Sequence, residues 1–138
     1  MNTVEERVKP DIFNTISHHD LLGFHEHDRV NYKKVVQFLG FDQNDVSKIA
    51  GVRKASVRYE PNRIPREVKE RFLEIANICQ LVAEVFNGNI EKTALWFKTD
   101  NPLLGNLSPR NMIRVGKYKK LHRFIMEARE DANISETA

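Results

Sequence analysis

Cysteine is almost absent from this sequence of 138 residues, which contains only Cys79. A single thiol cannot form an internal disulfide, and no cysteine pair exists to hold a zinc finger. Long hydrophobic runs are also missing, because no stretch approaches the roughly 20 apolar residues that a membrane-spanning helix needs. The first residues show no apolar run behind a basic cluster, the pattern typical of a secretory signal. We therefore expect a cytoplasmic protein without disulfides or membrane contact.

Glycine and proline are scarce as well, with six glycines and five prolines in the chain. Few helix breakers leave room for long uninterrupted elements. Hydrophobic residues make up 41% and charged residues 30%, which fits a folded chain better than a disordered one. The sequence shows no strand-like alternation of any length and no internal repeat. These features together predict an all-α fold.

Capping residues and helix breakers divide the chain into a series of predicted helices. Asparagine, aspartate and serine favour helix starts because their side chains accept hydrogen bonds from free backbone N–H groups, whereas glycine and proline end helices. The boundary residues are Asn31, Gly40, Asp42, Gly51, Pro61, Pro65, Gly88, Asn89, Ser108 and Gly116. One predicted helix begins near Arg53 and must stop at Pro61, since a residue before proline disfavours the helical conformation.

The longest predicted helix, which starts at Pro65, carries one continuous apolar seam. Its members alternate four and three residues apart, the spacing of one helix face. They are Val68, Phe72, Ile75, Cys79, Val82 and Phe86. The seam is either the spine of the core or half of a dimer contact. Because Cys79 lies within it, a buried structural thiol is favoured over a nucleophile.

The stretch from Gln43 to Glu60 is typical of a helix-turn-helix. Gly51 supplies the positive φ of the sharp turn, and Val57 lies where the second helix would bury its inner face. That second helix would enter the major groove of DNA with its N-terminal end. Basic residues cluster there, seven against three acids between residues 53 and 71. The predicted DNA-binding residues are Arg53, Lys54, Ser56 and Arg58, with Arg63 and Arg66 on the phosphate backbone. The alternative is a motif used only for packing or protein contact.

Residues 1–30 are interpreted as a loosely organised N-terminal arm, which holds four of the five histidines. These lie in His18-His19-Asp20 and His25-Glu26-His27-Asp28. Imidazole and carboxylate groups both bind metals, but this spacing fixes no geometry. A solvated polar arm is the preferred interpretation, and we predict no metal or cofactor. The C-terminal third shows no paired carboxylates, no nucleophile beside a histidine and no phosphate loop, so no catalytic residue is predicted. Trp96 and Phe97 in this third are interpreted as core residues, because bulky aromatic side chains in short helices usually fill the interior.

The C-terminal third combines a tryptophan helix, an Asn-Pro turn, a Leu-Gly pair and a Ser-Pro helix start. The residues are Ala94-Leu95-Trp96-Phe97, Asn101-Pro102-Leu103-Leu104-Gly105 and Ser108-Pro109, followed by Ile113, Gly116 and Leu121. This pattern resembles the toxin-binding domain of Xre/MbcA/ParS-type antitoxins, a family that also carries a preceding helix-turn-helix. The resemblance covers roughly residues 31–127. A further glycine that the family has after its last helix is missing at 126–129.

The resemblance implies a type II antitoxin that silences a partner toxin, often of the NAD-consuming RES class, and represses its own operon. It would comprise an arm at 1–30, a helix-turn-helix domain with a long connecting helix at 31–87, and a toxin-binding domain with tail at 88–138. Exposure and charge suggest toxin-facing candidates in a stretch of six basic residues without an acid, from 110 to 123. These candidates are Arg110, Arg114, Lys117, Tyr118 and Arg123, together with the tail from Ala128.

Two other functions stay open at this point. The first is a stand-alone helix-turn-helix transcriptional regulator whose C-terminal module only dimerises. The second is an enzyme that acts through the histidine arm with a bound metal. A homodimer is expected for both the antitoxin and the stand-alone regulator, because helix-turn-helix proteins usually read two half-sites related by a two-fold axis. The candidate dimer contacts are the apolar seam and the N-terminal arm.

Overall fold

The computed structural model describes residues 20–137, with side chains up to residue 131. This part of the chain contains the α-helices α1 (Tyr32–Leu39), α2 (Gln43–Ala50), α3 (Arg66–Val85), α4 (Ile90–Lys98), α5 (Pro109–Arg114) and α6 (Tyr118–Thr137). Its β-structure is a hairpin of two-residue strands, β1 (His25–Glu26) and β2 (Arg29–Val30). The predicted all-α fold is confirmed. No helix in the described residues is long and apolar enough to cross a bilayer.

The start of α1 and both ends of α2 are fixed by the capping residues that the sequence predicts. The Asn31 side chain accepts a hydrogen bond from the backbone N–H of Lys33, at 3.1 Å, and so begins α1. Asp42 and Asp45 exchange side-chain-to-backbone hydrogen bonds at the start of α2, which satisfies two otherwise free N–H groups. Gly51 ends α2 with a φ of 71°, the left-handed conformation that glycine adopts without steric cost.

Helix α3 is the spine of the core. It packs against α1, α2, α4 and α6, so neighbouring helices cover it on several sides. The five seam residues from Val68 to Val82 are at most 3% exposed, while Phe86 at the end of the helix is half-buried. The five residues from Val68 to Val82 are therefore enclosed within the chain as the spine of its core, and Phe86 alone of the seam is partly exposed. Burial also raises the pKa of the Cys79 thiol, which keeps it protonated and unreactive.

The helix predicted between Arg53 and Pro61 is wrong. The structure has a single turn of 3-10 helix at Lys54–Ser56, after which Val57 adopts an extended conformation and enters the core. The second helix of the predicted helix-turn-helix is therefore missing, although its first helix and its glycine turn are present as α2 and Gly51.

Two physical effects explain why this segment does not form an α-helix. Its β-branched and aromatic residues, such as Val52, Val57 and Tyr59, are poor helix formers, and a helix this short depends on tertiary packing of its apolar face. Tertiary contacts also occupy its backbone. The Gln43 side-chain amide donates a hydrogen bond of 3.0 Å to the carbonyl oxygen of Lys54, and the Ser47 hydroxyl donates one to that of Val52. These bonds hold the segment against α2.

The start of the described chain is bound to α3 through Gln80. The backbone N–H of Leu22 donates to the Gln80 side-chain oxygen at 3.1 Å, and the Gln80 amide nitrogen donates to Asp20 at 2.8 Å. Burial alone would raise the pKa of Asp20, but hydrogen bonds from the backbone of His25 and Phe24 outweigh it and lower that pKa. Residues 20–30 are thus part of the fold, which the sequence interpretation as a loose arm did not predict. His18 and His19 lie outside the described residues.

Candidate functional site

An open apolar groove lies where the end of α3, the α4–α5 region and α6 come together. Its volume is about 640 Å³. This feature is called the apolar groove below. Its apolar side chains are Val82, Val85, Phe86, Trp96, Leu103, Phe124, Ile125 and Ala128. Leu103 is 78% exposed and Val85 is 57% exposed, and the two belong to one contiguous apolar patch rather than to separate surface positions. A surface of this kind favours contact with another protein.

Leu103 is held in its exposed position by the Asn-Pro turn. The Asn101 side chain accepts a hydrogen bond from the backbone N–H of Leu103 at 2.9 Å, and Pro102 begins a 3-10 turn that contains the leucine. Gly105 ends the turn with a φ of 71°. The backbone of Asn101 also pairs with that of Leu107. The turn therefore presents an apolar side chain from a well-fixed backbone rather than from a loose loop.

Trp96 and Phe97, both predicted to be core residues, have different environments. Phe97 is fully buried and confirms the prediction. Trp96 is half-buried, contacts Phe97 edge-to-face with ring centroids 5.1 Å apart, and forms part of the groove wall. The indole thus joins the core to the groove, which the sequence interpretation of Trp96 as purely structural did not anticipate.

An ion pair fixes the wall of the groove where α6 meets α3. Arg129 lies 3.0 Å from the Glu84 carboxylate and donates a hydrogen bond of 3.1 Å to the carbonyl oxygen of Leu81. Both charged side chains are largely shielded from solvent, so salt screens the pair less than it screens an exposed ion pair. Sequence reasoning missed both residues, because no local pattern relates two side chains so far apart along the chain.

Three of the five residues predicted to face the toxin are exposed in the structure. They are Arg114, Lys117 and Arg123, at the end of α5 and on α6. Lys120 is exposed as well, and it lies one helical turn before Phe124, so both project from the same face of α6. These four exposed basic residues are called the basic edge of α6 below. Arg114 ends α5, Lys117 lies in the turn before α6, and Lys120 and Arg123 lie on α6.

Arg110 and Tyr118, the other two predicted residues, are engaged inside the fold. The Arg110 guanidinium donates hydrogen bonds to the carbonyl oxygens of Leu39 and Gly40 at the end of α1. Tyr118 is 5% exposed, and its hydroxyl accepts a hydrogen bond from Arg71. The exposure expected of these two side chains is wrong, because each has a partner from a distant part of the chain.

The predicted DNA-binding residues lie on an irregular loop rather than on a helix. An open depression brings together Arg53, Ser56, Arg58 and Arg63. The segment 53–63 is called the basic loop below. Lys54 is exposed on the same loop, outside the depression, and Arg66 lies just beyond it at the start of α3. The structure therefore groups four of the six predicted residues around one feature.

The histidines of the predicted N-terminal arm that lie within the described residues are His25 and His27. Across the part of the chain that the structure describes, no group of three histidine, cysteine or carboxylate side chains is placed to hold a metal ion. His25 lies 3.5 Å from the Asp20 carboxylate, and His27 is exposed in the hairpin turn with a φ of 54°.

Comparisons with known proteins give one structural likeness. No protein-family model matches the chain, and no curated protein matches it. The chain is similar to one chain of a solved structure described as the crystal structure of the M. tuberculosis MbcT-MbcA toxin-antitoxin complex. The identity is 23% over 69% of this chain and 86% of that one, with a TM-score of 0.48.

Proposed function

We propose that this chain is the antitoxin of a type II toxin–antitoxin system. It binds and neutralises a cognate toxin, of the NAD-consuming RES class that the sequence resemblance implies, and it acts in the cytoplasm by binding rather than by catalysis. Its proposed toxin-binding surface is the apolar groove together with the basic edge of α6.

The observation that carries this proposal is the position of the Asn-Pro turn. Three of the residues that produce the resemblance to antitoxins, Trp96, Asn101 and Leu103, line the apolar groove. Leu103 gains nothing for the fold from its exposed position, because most of its surface stays in contact with water. A partner that covers it would recover that free energy, about 1.5–3 kcal/mol for one leucine side chain.

The basic edge adds electrostatic attraction to this apolar contact. Arg114, Lys117, Lys120 and Arg123 are exposed, and none forms an ion pair within the residues whose side chains are described. Charges at the rim of an interface mainly raise the association rate and select partners of opposite sign. We therefore expect an acidic surface on the toxin around an apolar centre. Arg110 and Tyr118 are left out of the proposed surface because they serve the fold.

DNA binding is the second proposed function, and the basic loop is the observation that favours it. The resemblance implies repression of the operon by binding to operator DNA. The residues predicted to contact the DNA are Arg53, Lys54, Ser56, Arg58 and Arg63 on the loop and Arg66 at the start of α3. The homodimer expected of such a repressor stays a prediction. Its contact does not involve the seam residues from Val68 to Val82, which the core encloses.

Co-expression with the product of the adjacent gene tests the toxin-binding proposal. This chain should co-purify with that product and should restore growth to cells in which the product alone is lethal. Leu103→Asp, which places a charge in the groove, should abolish both rescue and co-purification. The matched control is Leu73→Asp, because Leu73 is another exposed leucine, on α3 and outside the groove. Equal rescue by both variants would remove the groove from the toxin-binding surface.

A further inference from the structure

We propose that the basic loop binds the phosphate backbone of double-stranded DNA without reading its base sequence. This inference rests on the DNA-binding part of the proposed function. It replaces the operator-specific contact that the resemblance implies with contact to the phosphates of any duplex. Specific recognition needs a helix or a two-stranded ribbon that enters the major groove, where side chains reach the base edges. Contacts to phosphates position a protein on DNA but carry no sequence information by themselves.

The backbone of the basic loop prevents it from acting as a recognition element. Its only regular structure is one 3-10 turn, Lys54–Ser56. Val57 is buried in the core, and the carbonyl oxygens of Val52 and Lys54 accept hydrogen bonds from side chains of α2. These anchors hold the loop on the body of the protein. The loop therefore lies against a duplex from outside rather than inserting into its groove.

The side chains of the loop nevertheless suit phosphate groups. Arg53, Lys54, Arg58 and Arg63 are exposed, and none of these four cations forms an ion pair in the part of the chain that the structure describes. Ser56 adds a hydroxyl to the same depression. Arg66, at the start of α3, differs because it lies 3.7 Å from the Glu70 carboxylate. Unpaired cations release counterions from DNA when they bind, whereas a paired one must first lose its partner.

The shape of the depression favours a backbone over a small phosphate ligand. It is wide open to solvent, with a volume of about 660 Å³, and Arg53, Arg58 and Arg63 belong to its lining. Only Glu67 contributes a carboxylate to its lining. An open, mostly cationic surface contacts several phosphates of an extended polyanion at once, and affinity then comes from their number.

Fluorescence anisotropy at several salt concentrations tests this inference. The probes are tiled duplexes that cover the DNA upstream of the gene, and a duplex of equal length and composition with shuffled sequence. We expect equal affinity for all of them and a slope of log K against log salt of about −3 to −4, as three to four phosphate contacts would give. Reading of bases would instead separate one tile from the shuffled duplex by a factor of about a thousand or more, which would overturn the proposal.

Variants locate the binding on the loop. Arg58→Ala and Arg63→Ala should each weaken binding to every duplex alike and reduce the size of the salt slope by about one. The control is Lys98→Ala, which removes the same charge from the exposed end of α4 and should leave both quantities unchanged. Undiminished binding by the Arg58→Ala, Arg63→Ala double variant, or no binding to any duplex at low salt, would refute the inference. Rescue from the toxin, measured on the same variants, should persist throughout, so failure here is distinct from failure of the antitoxin proposal.

Discussion

The guanidinium of Arg110 donates a hydrogen bond to the carbonyl oxygen of Gly40, 2.7 Å away, although the two residues are 70 positions apart. The same side chain lies over the ring of Phe41, with 5.0 Å between the guanidinium carbon and the ring centroid. A cation at the C-terminal end of α1 also interacts favourably with the helix dipole. Arg110 thus joins α5 to the end of α1.

We expect Arg110→Ala to lower the free energy of unfolding by about 1–3 kcal/mol. The loss arises because two carbonyl oxygens lose a charged donor and the Phe41 ring loses its cation. Urea denaturation followed by circular dichroism measures it. Arg114→Ala is the control, since Arg114 is exposed and should change stability by less than about 0.5 kcal/mol. If Arg110→Ala were as stable as the control while losing toxin binding, Arg110 would belong to the interface after all.

Trp96 and its neighbour Phe97 should separate stability from partner binding. Phe97→Ala removes a fully buried ring, so we expect a loss of about 3–5 kcal/mol in unfolding free energy. Trp96→Ala should cost less stability, because part of the indole faces the apolar groove, but it should weaken toxin binding more than its effect on folding explains. Thermal melts and pull-down of each variant give the comparison. Intact toxin binding by a folded Trp96→Ala protein contradicts this assignment.

The stability of the protein should fall on mild acidification because of His122. Burial lowers the pKa of His122, with Glu74 acting in the opposite direction, and its Nε2 atom is buried without a hydrogen-bond partner among the described residues. Since the folded-state pKa lies below the unfolded value of about 6.5, the neutral imidazole contributes stability above that pH. This contribution is lost as pH falls from about 6.5 through the folded pKa.

The histidine effect is measured as the melting temperature at a series of pH values on both sides of about 6.5. His122→Gln should show a flatter pH dependence than the unmodified protein, because glutamine does not titrate. His25 and His27 remain in both proteins, so their contributions cancel in the difference. Parallel curves for the two proteins would show that His122 is not the titrating group.

Cys79 should serve as a reporter of global unfolding. Its thiol is fully buried in α3 and its pKa is raised by burial, so the reactive thiolate forms only when the core opens. We expect no reaction with a thiol reagent such as DTNB under native conditions. Labelling should appear along the same urea transition that circular dichroism detects. Rapid labelling of the native protein would mean that α3 opens locally, and that the core is less rigid than its packing indicates.

The helices were predictable where local chemistry decides the structure. Asn31, Asp42 and Ser108 cap the helices that they were predicted to begin, because a capping side chain acts on N–H groups two or three residues away. The seam of α3 was predictable for the same reason, since its period follows from the geometry of one helix. These signals lie within a few residues of the structures that they specify.

The errors concern contacts between distant residues. Whether the segment after Gly51 forms a helix depends on the burial of Val57 and on the Gln43 hydrogen bond, which a local pattern does not contain. Arg110 and Tyr118 have the composition of surface residues, yet each is engaged by a partner from another helix. The apolar groove is likewise visible only in three dimensions, because it joins α3, the Asn-Pro turn and α6.

Helix α3 also sets the distance between the two proposed surfaces. Its first turn, at Glu67, borders the depression of the basic loop, and its last turn, at Val85, borders the apolar groove. Twenty residues at 1.5 Å each make a rod about 30 Å long. We therefore expect the two proposed ligands, a toxin at the apolar groove and DNA at the basic loop, to bind at opposite ends of this helix.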